Sequence, residues 1–536
     1  MFPPAQLREI VRLTNINLAK LPRHNLTRWV TEGEIVKFFG IVILMTRYEF
    51  KDRASLWSTV DTSKYIPAAC FGKTSMGRCR FDNILRCIQF SVQDKVRPAN
   101  MSHSSHRWQL VDDFVWRFNE YREKNYYPSH YICVDESMIR WYGIGGFYIN
   151  MGLPQYVDME RKPEKGGEVQ NAACGESGIL IRLHVVKNRT EEDLEQEAVV
   201  VDDDGNEQEA LHGAKVLLNL VFPWKDTNRI VCADSYFASV PGARLLHKNG
   251  LRFIGVVKTA TREYPMQYLT DKVLGQRGDW RAVKVCKEND DDTDLVAFVW
   301  MDRDRRYFIS SCLNMRDGKP CERIRWRQTE EVESNAEPER MEVRVPQPLI
   351  CEHYYNACAT IDKHNRCRQD DLNIEKKLET NDWAKRFNFS IVGMIVVDSW
   401  LAYKQLKEVE NESQKEFYEK LAEEMIDNTL DEVATRGGAQ RARERAAVSG
   451  NDIIDERGNV KCGFDIHLTP TREKRKRRDG SETAYTFQGH CCVCKKKTIH
   501  VCSGCQDRGI YKYVCHPKTK RRCFHEHITV AHEDKI

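Results

Sequence analysis

HYICVDESMIRWYG, residues 130–143, is where the texture of the chain changes. Tyr131 to Val134 form a short β-branched and aromatic run, and Asp135 closes it. The same texture recurs in GILIRLHVV at 178–186, RIVCAD at 229–234 and LRFIGVV at 251–257, with helical periodicity between them in KVLLNLVF at 215–222 and SVPGARLLHKN at 239–249. Strands alternating with helices predict an α/β core. Working outward, EIVKFFGIVILM at 34–45 and RFDNILRCIQF at 80–90 carry apolar residues on a 3.6 period, so residues 1–128 read as helical. The core starts at 129 and runs to 261, broken at 189–210 by an acidic stretch that reads as an exposed insertion. Residues 262–350 bring further strands, LVAFVWMD and RRYFISSCL, and the charged RQTEEVESNAEPERMEVRV; they read as a β-rich insertion with a small sheet of its own. Helical period returns across 351–435 and completes the core. Residues 436–486 have the composition of a flexible basic linker, and a cysteine-rich module fills 487–536.

Two of the predicted strands end in acids. Open α/β sheets place their chemistry outside the carboxyl ends of their strands, so Asp135 and Asp234 could converge on one divalent metal. The helical run YYNACATIDKHNR supplies a third acid, Asp362, with Ile361 turned to a core and Lys363, His364 and Arg366 turned to an anionic ligand. Acids on two strands and a following helix are the pattern of ribonuclease-H-like nucleotidyl transferases, in which two metal ions about 3.5–4 Å apart hold the attacking and leaving oxygens of a phosphodiester. Hard Mg²⁺ or Mn²⁺ suits such ligands. Aspartate after a strand also serves turns and helix caps, so the pattern alone leaves both readings open.

An ordered series of motifs narrows the choice. RFDNILRCIQF at 80–90, VDESMIRWYG at 134–143, the following YINMGLPQYVDMERKPEKGG, CADSYFASVPGARLL at 232–246, YFISSC, HYYNACATIDKHNRCRQD at 353–370 with Trp383 after it, and a trailing Cys/His module occur in the order found in the piggyBac transposase family, which the chain resembles over nearly its whole length. The resemblance implies a DDD transposase. Its ribonuclease-H-like core is interrupted by an insertion and flanked by helical DNA-binding and dimerisation regions. Its catalytic, metal-ligating residues fall on Asp135, Asp234 and Asp362. It further implies nicking at transposon terminal inverted repeats, a hairpin intermediate, joining into TTAA targets, and a homodimer. The sequence departs from the family at Asn365, where many members have a fourth aspartate; its carbonyl oxygen can still reach a metal but carries no charge. Ala359 and Thr360 stand where the family has a glycine pair. A domesticated, catalytically inactive nuclear DNA-binding protein is the alternative, and the three retained aspartates favour the enzyme.

Seven of the twenty cysteines crowd into 491–523, and in a chain whose amino terminus lacks a secretory signal such density indicates zinc rather than disulfides. Cys491, Cys494, Cys502, Cys505, Cys515, Cys523 and His527 are the favoured ligands, with Cys492 as an alternative to Cys491 and His500 as the eighth. The resemblance implies a cross-brace fold, and cross-brace modules also read histones or recruit ubiquitin ligase partners.

The 83 basic residues nearly balance the 79 acidic ones, for a net charge of +4. Any DNA contact must therefore be patched, at Arg436–Arg445, Lys474–Arg478, Lys495–Lys497 and Lys518–Arg522. KRKRR at 474–478 also reads as a nuclear localisation signal. The longest apolar runs, GIVILM and IVGMIVV, fall well short of the roughly 18 residues of a membrane span. Trp108, Trp141 and Trp383 read as core residues rather than wedges against DNA.

Overall fold

The computed structural model describes residues 1–21, 29–61, 63–141, 166–187, 199–201, 207–209, 212–258, 261, 263–271, 275–284, 294–312, 315–327, 339–407 and 412–431, then 453–454, 460–461, 468–470, 472–476, 482–486, 488–502, 512–516, 523–524 and 526–527. The chain divides into two units: Gln93–Gln414 together with Met1, and Phe2–Val92 together with Lys415–Ile536.

In the first unit, helix α1 (His103–Asn125) starts at Ser102, whose side chain accepts the Ser105 amide. It is followed by β1 (Tyr131–Arg140), β2 (Gly166–Cys174), β3 (Leu180–Val185), α2 (His212–Val221), β4 (Ile230–Ala233), α3 (Val240–Lys248) and β5 (Arg252–Val256). Then come β6 (Trp280–Lys284), β7 (Val296–Met301), β8 (Arg305–Ser310), the hairpin β9 (Cys321–Arg327) and β10 (Glu339–Val345), and helices α4 (Leu349–Arg366) and α5 (Trp383–Lys407). Eight strands form one mixed sheet in the order β3-β2-β1-β4-β5-β8-β7-β6. The central strands β1, β4 and β5 run parallel. Each outer pairing is antiparallel.

Side-chain alternation gives the sheet two buried faces. Ile132, Val134, Val231, Phe253 and Val299 pack with Leu217 and Leu220 of α2 and Ala243 and Leu246 of α3. Cys232, Ile254, Phe298, Trp300 and Phe308 face the other way, onto Ile350, Cys351, Tyr354 and Ala357 of α4. The buried positions of α4 recur every three or four residues, so one stripe of that helix lies on the sheet. LVAFVWMD and RRYFISSCL, expected in a separate insertion, instead extend the central sheet as β7 and β8; among the described residues of 262–350, β9 and β10 pair apart from it. A strand buried on both faces reads as a continuous apolar run, and β7 does. Strand β2 had no comparable signal, since GGEVQNAAC is small and polar yet wholly buried. Gly166 is needed there, because a Cβ would collide with the Ile139 carbonyl.

A buried ion network joins three helices to β3. Asp398 on α5 accepts from Arg122 of α1 at 2.7 Å and from the Leu180 amide at 2.9 Å, with His364 Nε2 of α4 at 3.2 Å. Arg122 and Asp398 are 1% and 0% exposed, so neither charge has water to fall back on. Asp398→Ala should therefore destabilise the unit by about 3–5 kcal/mol, the cost of stranding a buried arginine. Urea unfolding followed by tryptophan fluorescence measures it, and an unchanged midpoint would contradict the assignment.

The second unit contains the helices Pro4–Leu18, Glu32–Met45, Arg78–Cys87 and most of Gln414–Ile426. The run at 34–45 is buried almost throughout, and Gly40 lets Ala422 approach: a Cβ there would stand 2.8 Å from the Ala422 carbonyl oxygen. Arg80 pairs bidentately with Glu34, and Phe38 meets Phe81 at 4.9 Å. The periodic stretch 80–90 leaves the helix at Cys87, yet Ile88 and Phe90 remain buried. Helix α1 lies in the sheet unit, which takes up the chain again at Gln93. Part of the expected basic linker is paired: Arg472–Lys476, which includes the first three residues of KRKRR, pairs antiparallel with Glu482–Thr486. Most of 436–486 and of the acidic insertion 189–210 lies outside the described residues, as does nearly all of the motif at 148–167. No described helix is long and apolar enough to cross a membrane.

Candidate metal centres

Parallel pairing of β1 with β4 fixes the first site. Val134 pairs with Ala233, so Asp135 and Asp234 are the next residues side by side where the two strands diverge. Carboxylate oxygens of Asp135, Glu136 and Asp234 lie within 4.8 Å of one another. Backbone amides orient two of them: Glu136 N donates to Asp135 Oδ1 at 2.8 Å, and Tyr236 N to Asp234 Oδ1 at 2.8 Å. Burial, then hydrogen bonding and charge from Glu136, push the Asp135 carboxyl up to about 9. Three acids so close can ionise together only if a cation compensates them, and their hard oxygens suit a divalent metal.

Helix α4 brings the third acid past the same strand. Cys133, Asp135 and Ser137 share one face of β1. The Cys133 thiol donates to the Cys358 carbonyl at 3.6 Å, and Ser137 Oγ donates to Asn365 Oδ1 at 2.7 Å. Asp362 lies one turn after Cys358 and one before Asn365, which sets it level with Asp135. Both Asp135 and Asp362 act on the Cys358 thiol, which burial already pushes up to about 12. Asp362 is exposed and is not part of the 4.8 Å group. The Asn365 amide works at both ends, accepting from Ser137 and donating to the Glu136 carbonyl at 3.4 Å. Of the three bases expected to face an anion, Lys363 and Arg366 are exposed, whereas His364 is 2% exposed and turned to Asp398. Trp108 and Trp383 pack edge to face at 5.4 Å in the core. Glu136 is the residue that the sequence reading missed. Strand alternation argued for the opposite face, and only its adjacency to Asp135 could have pointed to it.

The cysteine module holds a second centre. Sulfurs of Cys491, Cys494, Cys515 and Cys523 lie within 4.8 Å of one another. Tetrahedral zinc with Zn–S bonds of about 2.3 Å needs sulfurs roughly 3.8 Å apart, so the donor set fits. The turn that presents the first two is held by Cys491 N to Lys496 O at 2.8 Å and Lys495 N to Cys491 O at 2.9 Å, with Lys495 left-handed at φ 60°. Burial, then the Cys494 thiol, push Cys523 up, a cost that a dication would relieve. The other expected ligands are not members of this set of four. Cys492 Sγ faces His527 Nδ1 at 3.6 Å, Cys502 is buried, and the His500 ring meets His516 at 4.8 Å. Cys505 lies outside the described residues.

Asp234 follows the end of β4 as expected, whereas β1 runs on to Arg140, so Asp135 lies mid-strand, at the level where its pairing with β4 stops. Acids on adjacent parallel strands, with a further acid on a helix crossing them, define the ribonuclease-H-like α/β class. The transposase family described as Transposase IS4 matches residues 1–400, and the chain belongs to that family, of piggyBac type. Among solved structures, a piggyBac transposase synaptic complex with hairpin DNA, determined by cryo-EM, is similar at 16% identity. It has a TM-score of 0.56 and covers 85% of this chain and 86% of that one. No curated protein matches the chain.

Proposed function

We propose that this transposase is catalytically competent and cuts and rejoins double-stranded DNA by metal-dependent phosphodiester chemistry at Asp135, Asp234 and Asp362. The observation that carries the reading is the acid cluster at the sheet rim, with Asp362 level beside it. Asp135, Asp234 and Asp362 would hold Mg²⁺ or Mn²⁺. Such ions, when bound, acidify a water or hydroxyl nucleophile and stabilise charge on the phosphate. The chain itself supplies orientation. Amides of Glu136 and Tyr236 fix one oxygen of each strand aspartate, and Asn365 pins α4 to β1 so that Asp362 keeps its level. That anchoring accounts for an uncharged residue at 365 better than coordination does.

Terminal inverted repeats and TTAA targets are the substrates in this reading, with a hairpin intermediate like the hairpin DNA of the similar complex and a homodimer as the acting unit. The Cys491, Cys494, Cys515 and Cys523 set would hold Zn²⁺, with Cys502, Cys505, His500 and His527 available to a second ion. Lys495–Lys497 are exposed beside the first site and would meet DNA phosphates. Lys474–Arg478 would direct the protein to the nucleus.

The test is strand transfer by the full chain. A duplex carrying a 5′-TTAA end, incubated with Mg²⁺ and a supercoiled plasmid, should yield junctions at TTAA. Junctions scattered over other tetranucleotides would overturn the target assignment. Binding without transfer in Mg²⁺ or Mn²⁺ would favour the inactive DNA-binding alternative.

A further inference from the structure

Tyr236 stands two residues beyond Asp234 and is 47% exposed, unusual for a large aromatic beside a rim of acids. The turn that carries it is tied down. Its amide donates to Asp234 Oδ1 at 2.8 Å, and the amides of Phe237 and Ala238 donate to the Asp234 carbonyl at 3.3 and 3.0 Å. Phe237 is sunk in the core at 1% exposure and meets the Tyr236 ring edge-on, 4.9 Å between centroids and 85° between planes. The tyrosine ring is thus an apolar plate held toward solvent on a rigid mount, with its own backbone touching the carboxylate that would hold the metal.

The neighbouring strand adds a cation to this rim. Ala233 pairs with Gly255, so β5 leaves the sheet alongside β4 and Lys258, exposed, follows two residues past the level of Asp234. A metal-binding acid cluster, an aromatic plate and a lysine are the three complements of a nucleotide: its phosphate, its base and the next phosphate. Bases stack on aromatic side chains with little regard to sequence, and successive bases rise about 3.4 Å, so a ring carried two residues from Asp234, on a backbone bonded to its carboxylate, is placed for the nucleotide next to a phosphate held there.

Resting on the reading of the acid site given above, we propose that Tyr236 stacks on the base flanking the phosphate that is cut or joined, holding that nucleotide unstacked from its duplex while the acids act. The hydroxyl is not needed for this, but the ring is.

The full, zinc-loaded chain provides the test, with a duplex bearing a single-stranded 5′-TTAA overhang and 2-aminopurine at the base next to the junction, in Ca²⁺. Wild type and Tyr236→Phe should quench the fluorophore. Tyr236→Ala should leave it unquenched and bind the probe about five- to hundredfold more weakly, the worth of one stacked base. Mn²⁺ binding, read by electron paramagnetic resonance, should be the same in all three. Full quenching by the alanine variant would overturn the proposal, and so would a phenylalanine variant that behaves like alanine. Loss of Mn²⁺ binding in Tyr236→Ala would mark the ring as a structural support and overturn it too. If wild type binds the probe without quenching, stacking falls while the functional reading stands. If wild type fails to bind the probe even at low salt, the functional reading falls and takes stacking with it.

Discussion

Asp234→Asn should lower metal-dependent strand cleavage by about a thousandfold. The substitution keeps the side chain's shape and its ability to accept the Tyr236 amide, so the turn at 234–238 survives. What is lost is one of the two strand carboxylates that would ligate the dication, in a group of acids within 4.8 Å of one another. Losing several kcal/mol of charge stabilisation at the phosphate, at about 1.4 kcal/mol per factor of ten, gives that magnitude. Asp135→Asn should behave alike, and Glu136→Gln should cost about tenfold, as expected of a group that supports its neighbours rather than leads the site. Nicking of supercoiled plasmid measures the loss, and fluorescence anisotropy on a labelled duplex should show DNA affinity unchanged within about threefold. Affinity that collapses with activity would place Asp234 in the folding of the rim instead.

Stripping zinc from the carboxy-terminal module should unfold it. The described core of that module is four cysteines, Cys502, Val501, Val514 and Phe524, far too little apolar surface to order a chain of this length unaided. Zinc binding in such modules is worth about 10–16 kcal/mol, and that energy is the folding energy. Cys494→Ser should therefore release zinc and expose the segment beyond residue 487 to protease. Cys79→Ser, at an exposed thiol in a helix, should do neither. A module that resists protease in excess chelator would show that metal is not what orders it.

The parts of this architecture that were legible in sequence are those where one physical signal dominated. Apolar runs marked β1, β3, β4 and β5, and the acids that follow two of those runs marked the rim, although β1 continues past Asp135 to Arg140 because its polar half pairs with β2. Asp362 needed helical period and the family motif together, because nothing in a helix end alone distinguishes a ligand from a solvated acid. Strand β2 could not be read, since its residues are chosen for close approach rather than for apolarity. The strands at 296–310 were legible as strands but not as members of the central sheet, because pairing across a chain gap leaves no local mark. The cysteine spacing pointed to a metal site but not to which pairs would share an ion; Cys491 and Cys494 join Cys515 and Cys523 through the fold of the module. His364 was misread because the helical face that looked ready for an anion turns inward to Asp398 at that one position.

The helix that carries Asp362 begins at Leu349, more than two hundred residues after β1 begins. A ribosome therefore releases both strand aspartates, and the surface they share, well before the helix that lies across them exists. Contacts this far apart in sequence form late and slowly. Nascent chains, and fragments ending short of residue 349, carry the acids of the rim without Asp362 and without the Asn365 pin. On the proposed function, cleavage chemistry would be deferred until synthesis has passed the whole sheet, and partial products would lack a complete cutting centre because of the order in which its pieces are made.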